Sequence, residues 1–397
     1  YWTLKNMKKK IAILGSTGSI GITTLDVVNE NKKIFQVDLL STNKNIGKLK
    51  QQVKLFKVKN IIIHNKKAFY ENKQSLKKLN ANVYQNIVDF KKKYKGKLDY
   101  VMCSTIGLNG LESTLDIIQC TKRIAIANKE SIICGWNLIQ KKLKKYNTMF
   151  IPIDSEHFSI FELIKNEKKF NIKKIYITAS GGPFLKIDKS KISKFIPKNA
   201  IKHPTWKMGK KISIDSSTLI NKVYELIEAK KIFNLSYDKF EILIQPTSYV
   251  HGIVEFNNGV SKILTHPTSM KIPIYNSLLF NKKTFDISEN FDIYKMNNLN
   301  FQKIDNKKFP VFKLLKRLSN LDSLFETILV TANDVLVDLF LRKKITFYDI
   351  YKNLNKILSL REYKKYKKLR PQNLNQINQL SNNVRLKTLS LSVQSKI

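Results

Sequence analysis

Seven residues near the start of the chain, Gly15-Ser16-Thr17-Gly18-Ser19-Ile20-Gly21, limit its fold more than any other stretch. A short strand is expected at 10–14, apolar from Ile11 to Leu14, and leads into them, and an apolar stripe through Leu25, Val27 and Val28 follows at helical spacing. A buried strand that turns through glycines into a helix is the first step of a parallel sheet covered by helices. Glycine is required where the backbone must approach a pyrophosphate, and the helix start supplies N–H donors and the positive end of its dipole. The spacing is a G-x-x-G-x-x-G variant of the dinucleotide fingerprint. A ligand-free strand–helix turn accounts for one such glycine, not for three in this order.

The second strand is expected at 35–40. A dinucleotide fold that prefers NAD often ends this strand with an acid that holds the ribose diol. Here the end reads Ser41-Thr42-Asn43-Lys44-Asn45, with no acid and one Lys, which suits the 2′-phosphate of NADP. Asp38 falls mid-strand. Further strands are expected at 61–63, 100–103 and 124–127, and the lysine-rich stretch 76–94 between them reads as solvated helix and loop. The strand at 124–127 ends in Asn128-Lys129-Glu130-Ser131, a polar cluster where an open α/β sheet binds ligands. A surface turn with a capping Ser fits the same four residues. Residues 1–150 are therefore expected to form a Rossmann-type, NADPH-binding domain.

A different chemistry begins at Ile151-Pro152-Ile153-Asp154-Ser155-Glu156-His157. If this stretch is extended, Asp154 and Glu156 point to the same side and can share one divalent cation. A helix cap plus a solvated charge fits as well. A strand at 175–178 leads to Ala179-Ser180-Gly181-Gly182-Pro183, a second Gly-rich turn suited to an anion. Residues 201–211 carry His203, Pro204, Trp206, Met208 and Gly209 outside any periodic pattern, as a lid loop would. Ser213–Thr218 precede a helix on which Asn221 and Glu225 share a face, with Lys222 at its edge. A strand at 242–244, then Gln245, Pro246 and His251, lead to a hairpin of 250–256 with 260–264 around Asn257-Asn258-Gly259. The expected order is an α+β catalytic domain at 151–284, a linker at 285–308, and a C-terminal helical bundle domain at 309–397 whose Asn/Gln-rich tail from Asn373 is partly loose.

Composition excludes more than it identifies. The net charge of +42 invites a nucleic-acid reading, but only six of the 72 basic residues are Arg. Nucleic-acid sites favour Arg for bidentate contacts, whereas Lys here is spread along the whole chain. No specific nucleic-acid partner is expected. No apolar run reaches membrane-spanning length and no signal peptide is visible, so no membrane partner is expected. Residues 1–6 precede Met7 and are set aside. Cys103, Cys120 and Cys134 lack metal-like spacing and suit a reducing, cytoplasmic compartment.

Taken together, Gly15–Gly21, Asn128–Ser131, Asp154–His157, Ser180–Pro183, His203-Pro204-x-Trp206-x-Met208-Gly209, Asp215-Ser216 and Asn221-Lys222-x-x-Glu225 resemble one family over nearly the whole chain. That family is 1-deoxy-D-xylulose 5-phosphate reductoisomerase. Ala332-Asn333-Asp334 extends the resemblance weakly into the helical region. The resemblance implies a bacterial, cytoplasmic homodimer that acts on a small phosphosugar with NADPH and a divalent metal (Mg2+, Mn2+ or Co2+). Asp154, Glu156 and Glu225 look like the metal ligands. Ser155, Ser180, His203, Ser216, Asn221 and Lys222 would hold substrate, with Trp206 as the lid aromatic over it. Lys129 would sit at the reacting end, and Lys129 and Glu156 would share the proton handling. Thr17, Gly18, Ser19, Ile20, Asn43, Lys44, Asn45, Asn128, Glu130 and Gly209 match cofactor positions. Three departures stand out. Asn43 stands where Gly is usual and tolerates a positive φ, Gln245 replaces a usual His, and Ser269 replaces a usual Asp. Another NADP oxidoreductase, such as a semialdehyde or homoserine dehydrogenase, would share the glycine fingerprint but not the motifs at 180–183 and 203–209. A polyanion-binding protein with no enzymatic activity is suggested by charge alone.

Overall fold

The computed structural model describes residues 8–188, 195–201, 206, 209–280 and 292–393. They fall into two compact units. Over the described residues the first holds 8–132, 138–154 and 270–280, and the second holds 133–137, 155–269 and 292–393.

The first unit is a seven-stranded sheet. Its strands are β1 (Lys9–Leu14), β2 (Phe35–Thr42), β3 (Asn60–Ile63), β4 (Asn82–Tyr84), β5 (Tyr100–Cys103), β6 (Arg123–Ile126) and β7 (Met149–Ile151). They lie in the order β4-β3-β2-β1-β5-β6-β7, every pair parallel. Strands covered on both faces read as continuous apolar runs, and Ile11, Ala12, Ile13 and Leu14 of β1 are fully buried. The chain builds outward from β1 to β4, then returns to place β5 on the other side of β1. That reversal opens a crevice at the strands' carboxyl ends, between β1 and β5. Helices α1 (Ser19–Glu30) and α2 (Ile46–Phe56) follow β1 and β2. The stretch 76–94, expected to be solvated, instead supplies β4 and the Ile87–Lys93 helix. Leu76, Ala81, Val83, Tyr84, Ile87 and Phe90 are buried between the lysines, so six apolar residues anchor an otherwise charged segment. The helix Lys271–Leu278 comes back to this unit and packs on α1, with Ser277 Oγ 2.7 Å from Tyr100 Oη.

The second unit holds a mixed sheet in the order β11-β10-β8-β9-β12. Its strands are β8 (Ile172–Ala179), β9 (Phe240–Ile244), β10 (Val250–Phe256), β11 (Ser261–Thr265) and β12 (Gln302–Lys303). β8 and β9 are parallel, β10 pairs antiparallel with β11 as the Asn257-Asn258-Gly259 turn predicts, and it also pairs antiparallel with β8. Helix Ser155–Ile164 packs on β10. A helical layer follows, with Phe325–Leu341 packed against Phe347–Leu358 and Leu374–Val393. Of the tail expected to be partly loose from Asn373, Leu374–Val393 form this last helix. Ile377, Leu380 and Val384 recur on one face and are buried, a narrow apolar stripe hidden among Asn and Gln. Where the helix Ile220–Phe233 meets the Phe325–Leu341 helix, Lys231 is buried between Asp322 and Glu326, 3.1 Å from each. Burial of Glu326 pushes its carboxyl up, and the Lys231 charge opposes that.

Candidate active site

The glycine turn is held by backbone geometry. Gly15 has φ +83°, and a Cβ there would lie 2.8 Å from the Ser104 carbonyl oxygen. A Cβ on Gly21 would lie 2.5 Å from the Gly15 oxygen, so the turn and the first turn of α1 touch backbone to backbone. The end of β2 fixes the loop. Gly15 N donates to Ser41 Oγ at 3.0 Å, Ser16 N to Ser41 O at 2.9 Å, and the Thr17 and Thr42 hydroxyls meet at 2.9 Å. Gln52 of α2 clasps Ser16 twice, accepting from its hydroxyl and donating to its carbonyl, both at 2.8 Å. Gln52 has no motif to mark it. Only its place on the inner face of α2 reveals it. Gly18 caps α1, and Ser19 and Ile20 open it, where helix N–H groups have no partner within the helix.

Beyond β2, Asn43 and Lys44 are exposed, and Asn45 caps α2 by accepting from Lys48 N at 3.2 Å. Asn43 is not among the residues with positive φ, so its tolerance of that conformation is not called on. Asp38 is buried within the strand rather than at its end. At the carboxyl end of β6, Asn128 caps the Lys129–Tyr146 helix, accepting from Ser131 N at 2.5 Å and donating to the carbonyls of Thr105 and Gly107. Lys129 opens that helix and forms an ion pair with Asp154, just beyond β7. Glu130 lies in the same first turn and is buried.

The stretch Asp154–His157 is not extended. β7 stops at Ile151 and a helix begins at Ser155, so the i, i+2 strand argument fails. A helix start presents its first-turn acid to the positive dipole end instead. Ser155 Oγ donates to Glu156 Oε2 at 2.6 Å. Lys222 bridges the carboxylates of Glu156 and Glu225. Asn221 Nδ2 donates to Glu225 Oε1 at 2.5 Å, and His157 Nε2 lies 2.8 Å from the Glu225 carbonyl oxygen. Burial alone would lower the Lys222 pKa, but the two glutamate charges outweigh it and raise it. Asp154 is joined to this helix start through Ser155. One carboxylate oxygen from each of Asp154, Glu156 and Glu225 lies within 4.8 Å of the other two. Oxygen ligands sit about 2.0–2.6 Å from Mg2+ or Ca2+, so oxygens on one ion are at most about 5 Å apart. The donor set fits a hard divalent cation. Asp154, His157 and Glu228 meet the same distance test, and Glu228 is buried rather than solvated.

A second polar cluster lies at the turns after β8 and after the Lys210–Ser217 helix. Gly181 and Gly182 have φ of +83° and +65°, and Gly182 N donates to Ser180 Oγ at 3.1 Å. A Cβ on Gly182 would come 2.9 Å from the Ser216 oxygen, so the Ser180 and Ser216 turns are pressed together. Leu219 adopts φ +60° between Ser216 and Asn221, a strained conformation for a branched residue. Asn333 Nδ2 donates to buried Asp215 at 2.8 Å, and Lys211 reaches Asp334 at 2.7 Å, which ties the 332–334 stretch to this cluster. Gln245 is fully buried and accepts from Tyr249 N at 2.9 Å, locking the turn after β9. Ser269 N donates to the Pro267 carbonyl at 2.7 Å. His203 and most of the expected lid lie outside the described residues. Trp206 meets His251 edge-on, centroids 6.1 Å apart, and Gly209 caps the Lys210–Ser217 helix. His251 stacks on His266 at 3.7 Å, and burial, with His266 beside it, brings the His251 pKa down to about 3. Nothing in the sequence marks that stacked pair.

Comparison with known proteins agrees with these features along the chain. Residues 11–135 match the family model for 1-deoxy-D-xylulose 5-phosphate reductoisomerase, 150–233 match its C-terminal domain, and 266–387 match a further DXP reductoisomerase C-terminal domain. The chain is 55% identical over 387 residues to the 1-deoxy-D-xylulose 5-phosphate reductoisomerase of Pelagibacter ubique, covering 97% of this chain and 100% of that one. It is 38% identical to the Wolbachia pipientis enzyme over 349 residues, covering 86% and 88% of the two chains. Among solved structures it is similar to the Zymomonas mobilis reductoisomerase in complex with NADPH, with TM-score 0.86, 30% identity and coverage of 97% and 99%. It is also similar to a DOX-P reductoisomerase in complex with NADPH, fosmidomycin and magnesium, with TM-score 0.89, 29% identity and coverage of 97% and 98%. This chain belongs to the 1-deoxy-D-xylulose 5-phosphate reductoisomerase family.

Proposed function

We propose that the chain rearranges 1-deoxy-D-xylulose 5-phosphate and reduces the product with NADPH to 2-C-methyl-D-erythritol 4-phosphate, a step of non-mevalonate isoprenoid biosynthesis. The observation that carries the reading is the gathering of Asp154, Glu156 and Glu225 next to Lys222 and Asn221, in a chain 55% identical to a reductoisomerase. One carbon–carbon bond of the substrate breaks and another forms, giving an aldehyde that accepts hydride. A divalent cation held by the three carboxylates would act as a Lewis acid on the substrate's carbonyl and hydroxyl oxygens. Lys129 and Glu156 move the protons of this rearrangement. Ser155, Ser180, His203, Trp206, Ser216, Asn221 and Lys222 hold the substrate, and hydroxyl, amide and ammonium donors suit its phosphate.

Thr17–Ile20 at the start of α1 would hold the NADPH pyrophosphate, and Asn43, Lys44 and Asn45 would receive its 2′-phosphate. Asn128, Glu130 and Gly209 complete the cofactor set. The division into a cofactor domain at 1–150, a catalytic domain at 151–284, a linker at 285–308 and a helical domain at 309–397 belongs to the same proposal. So do a homodimer and a bacterial cytoplasmic location. No helix among the described residues is long and apolar enough to cross a membrane. The test is NADPH consumption with deoxyxylulose phosphate and Mn2+. Turnover that a chelator abolishes is expected, and no consumption by folded protein would overturn the assignment. Light scattering of purified protein checks the dimer.

A further inference from the structure

A cavity of about 720 Å3 lies in the second unit, lined by none of the residues assigned above to metal, substrate or cofactor. Phe184, Phe309, Val311, Phe347, Ile350 and Leu354 form its apolar wall. Ser217, Thr218 and Ile220 close one side, so it backs onto the strained turn at Leu219. Fully buried Asn333 also lines it; its amide nitrogen is spent on Asp215, and its Oδ1 has no hydrogen-bond partner among the described residues. The segment 306–313 adds charge: Lys307, Lys308 and Lys313 line the cavity, Lys308 Nζ donates to the Leu185 carbonyl at 2.7 Å, and Lys307 and Lys313 are exposed to solvent. The volume is that of a small-molecule site, where an apolar lining with a few placed polar groups is the usual composition. An apolar wall demands a hydrocarbon, and two ammonium groups demand an anion.

We propose that this cavity binds an amphipathic anion, an alkyl or branched hydrocarbon chain with a phosphate or carboxylate head, the chain against Phe347 and Leu354 and the head at Lys307 and Lys313. The experiment is calorimetric titration of the full chain at physiological salt with octyl phosphate, octanoate, octanol and ethyl phosphate. Saturable binding of octyl phosphate or octanoate is expected, at least tenfold tighter than both octanol and ethyl phosphate; whichever of the two binds more tightly identifies the head. Excess ethyl phosphate, which fills sites that read only a phosphate, should not displace the tighter ligand. The Lys307→Glu/Lys313→Glu variant, altered only at exposed positions, should lose at least tenfold in affinity. Leu354→Trp should abolish binding if its melting temperature shows that it folds. Equal binding of octanol, displacement by ethyl phosphate, or an unchanged affinity in the charge-reversed variant would each overturn the proposal. Because binding is read without turnover, failure of the reductoisomerase assay would leave this result standing.

Discussion

The glycine turn of the first unit and the carboxylate cluster of the second are two ways of handling charge. The turn uses backbone. Gly15 and Gly21 allow main-chain atoms to touch, and Ser41 and Gln52 hold the loop from behind. In the proposed site its hold on an anion would come from N–H groups that are fixed once the fold is fixed. The cluster uses side chains. Glu156, Glu225 and Lys222 are charged groups gathered from two helices, each nearly out of water, so each is stable only while its partners are present. The first arrangement tolerates side-chain changes and fails when a Cβ is added. The second tolerates no change of charge.

The sharpest break of this comparison is Glu225→Gln. It keeps the shape and removes one of two charges that hold Lys222, and in the proposed site one of three that hold the cation. Breaking a buried pair on one side costs about 3–5 kcal/mol. Turnover should fall by about a thousandfold and the metal requirement should rise, with NADPH affinity unchanged. Glu228→Gln is the control. Glu228 is also buried, so burial alone does not choose between the two glutamates; contact with Lys222 and Asn221 does. A metal titration in which Glu228→Gln is the damaging variant would transfer the site to Asp154, His157 and Glu228.

Much of this contrast can be read in the sequence, but not evenly. The glycine turn is legible because its signal is local: three glycines between an apolar strand and an apolar helix. Glu225 becomes visible only through resemblance, since it is 69 positions beyond Glu156 and nothing beside it marks a ligand. The extended reading of Asp154–Glu156 failed because Ser155 starts a helix, and two strand-like isoleucines upstream hid that. The helix after Asn373 is legible in period rather than in composition: among Asn and Gln, Ile377, Leu380 and Val384 show a helical stripe. Pairings that span long stretches of chain, such as Lys231 with Glu326, have no sequence signal at all.

The turn can be broken in its own manner. In Gly21→Ala the new Cβ meets the Gly15 oxygen at 2.5 Å and Ser16 Cα at 2.6 Å, both backbone and unable to swing aside. Overpacking of this kind costs about 1–3 kcal/mol, which is roughly a five- to two-hundredfold loss of NADPH affinity if the loop yields. Hydrogen exchange should rise in β1 and α1 and stay unchanged in the Ile220–Phe233 helix. Protection lost equally in both would mean that the units do not respond separately.

Acid should find the second unit through its stacked histidines. The His251 pKa is brought down to about 3, first by burial and then by His266. The unfolded chain takes up that proton near pH 6.5, so the stability His251 contributes is present above that pH and is lost as pH falls from 6.5 toward 3. At pH 5 the loss is about 2 kcal/mol. His64 in the first unit is lowered too, by burial. Urea midpoints at pH 7.5 and 5 should differ less in His251→Gln than in the natural chain. An equal difference in both would remove His251 from the account.

The smallest effect, and the one that tests the backbone reading most finely, is Lys44→Ala. Lys44 is exposed at the end of β2, and Asn45 beside it caps α2, the helix whose Gln52 grips Ser16. The side chain that would read the 2′-phosphate and the loop that would read the pyrophosphate are therefore joined through one helix. Losing a charge-assisted hydrogen bond costs about 1.5–3 kcal/mol, less at an exposed position screened by salt. NADPH affinity should fall about tenfold at low salt, and the gap should narrow as salt rises. NADH has no 2′-phosphate, so its affinity should stay the same. In the proposed site the pyrophosphate would be held by backbone that the substitution does not touch, provided Asn45 still caps α2. Equal losses for NADPH and NADH would show that Lys44 acts through the cap and the Gln52 clasp rather than by meeting the phosphate.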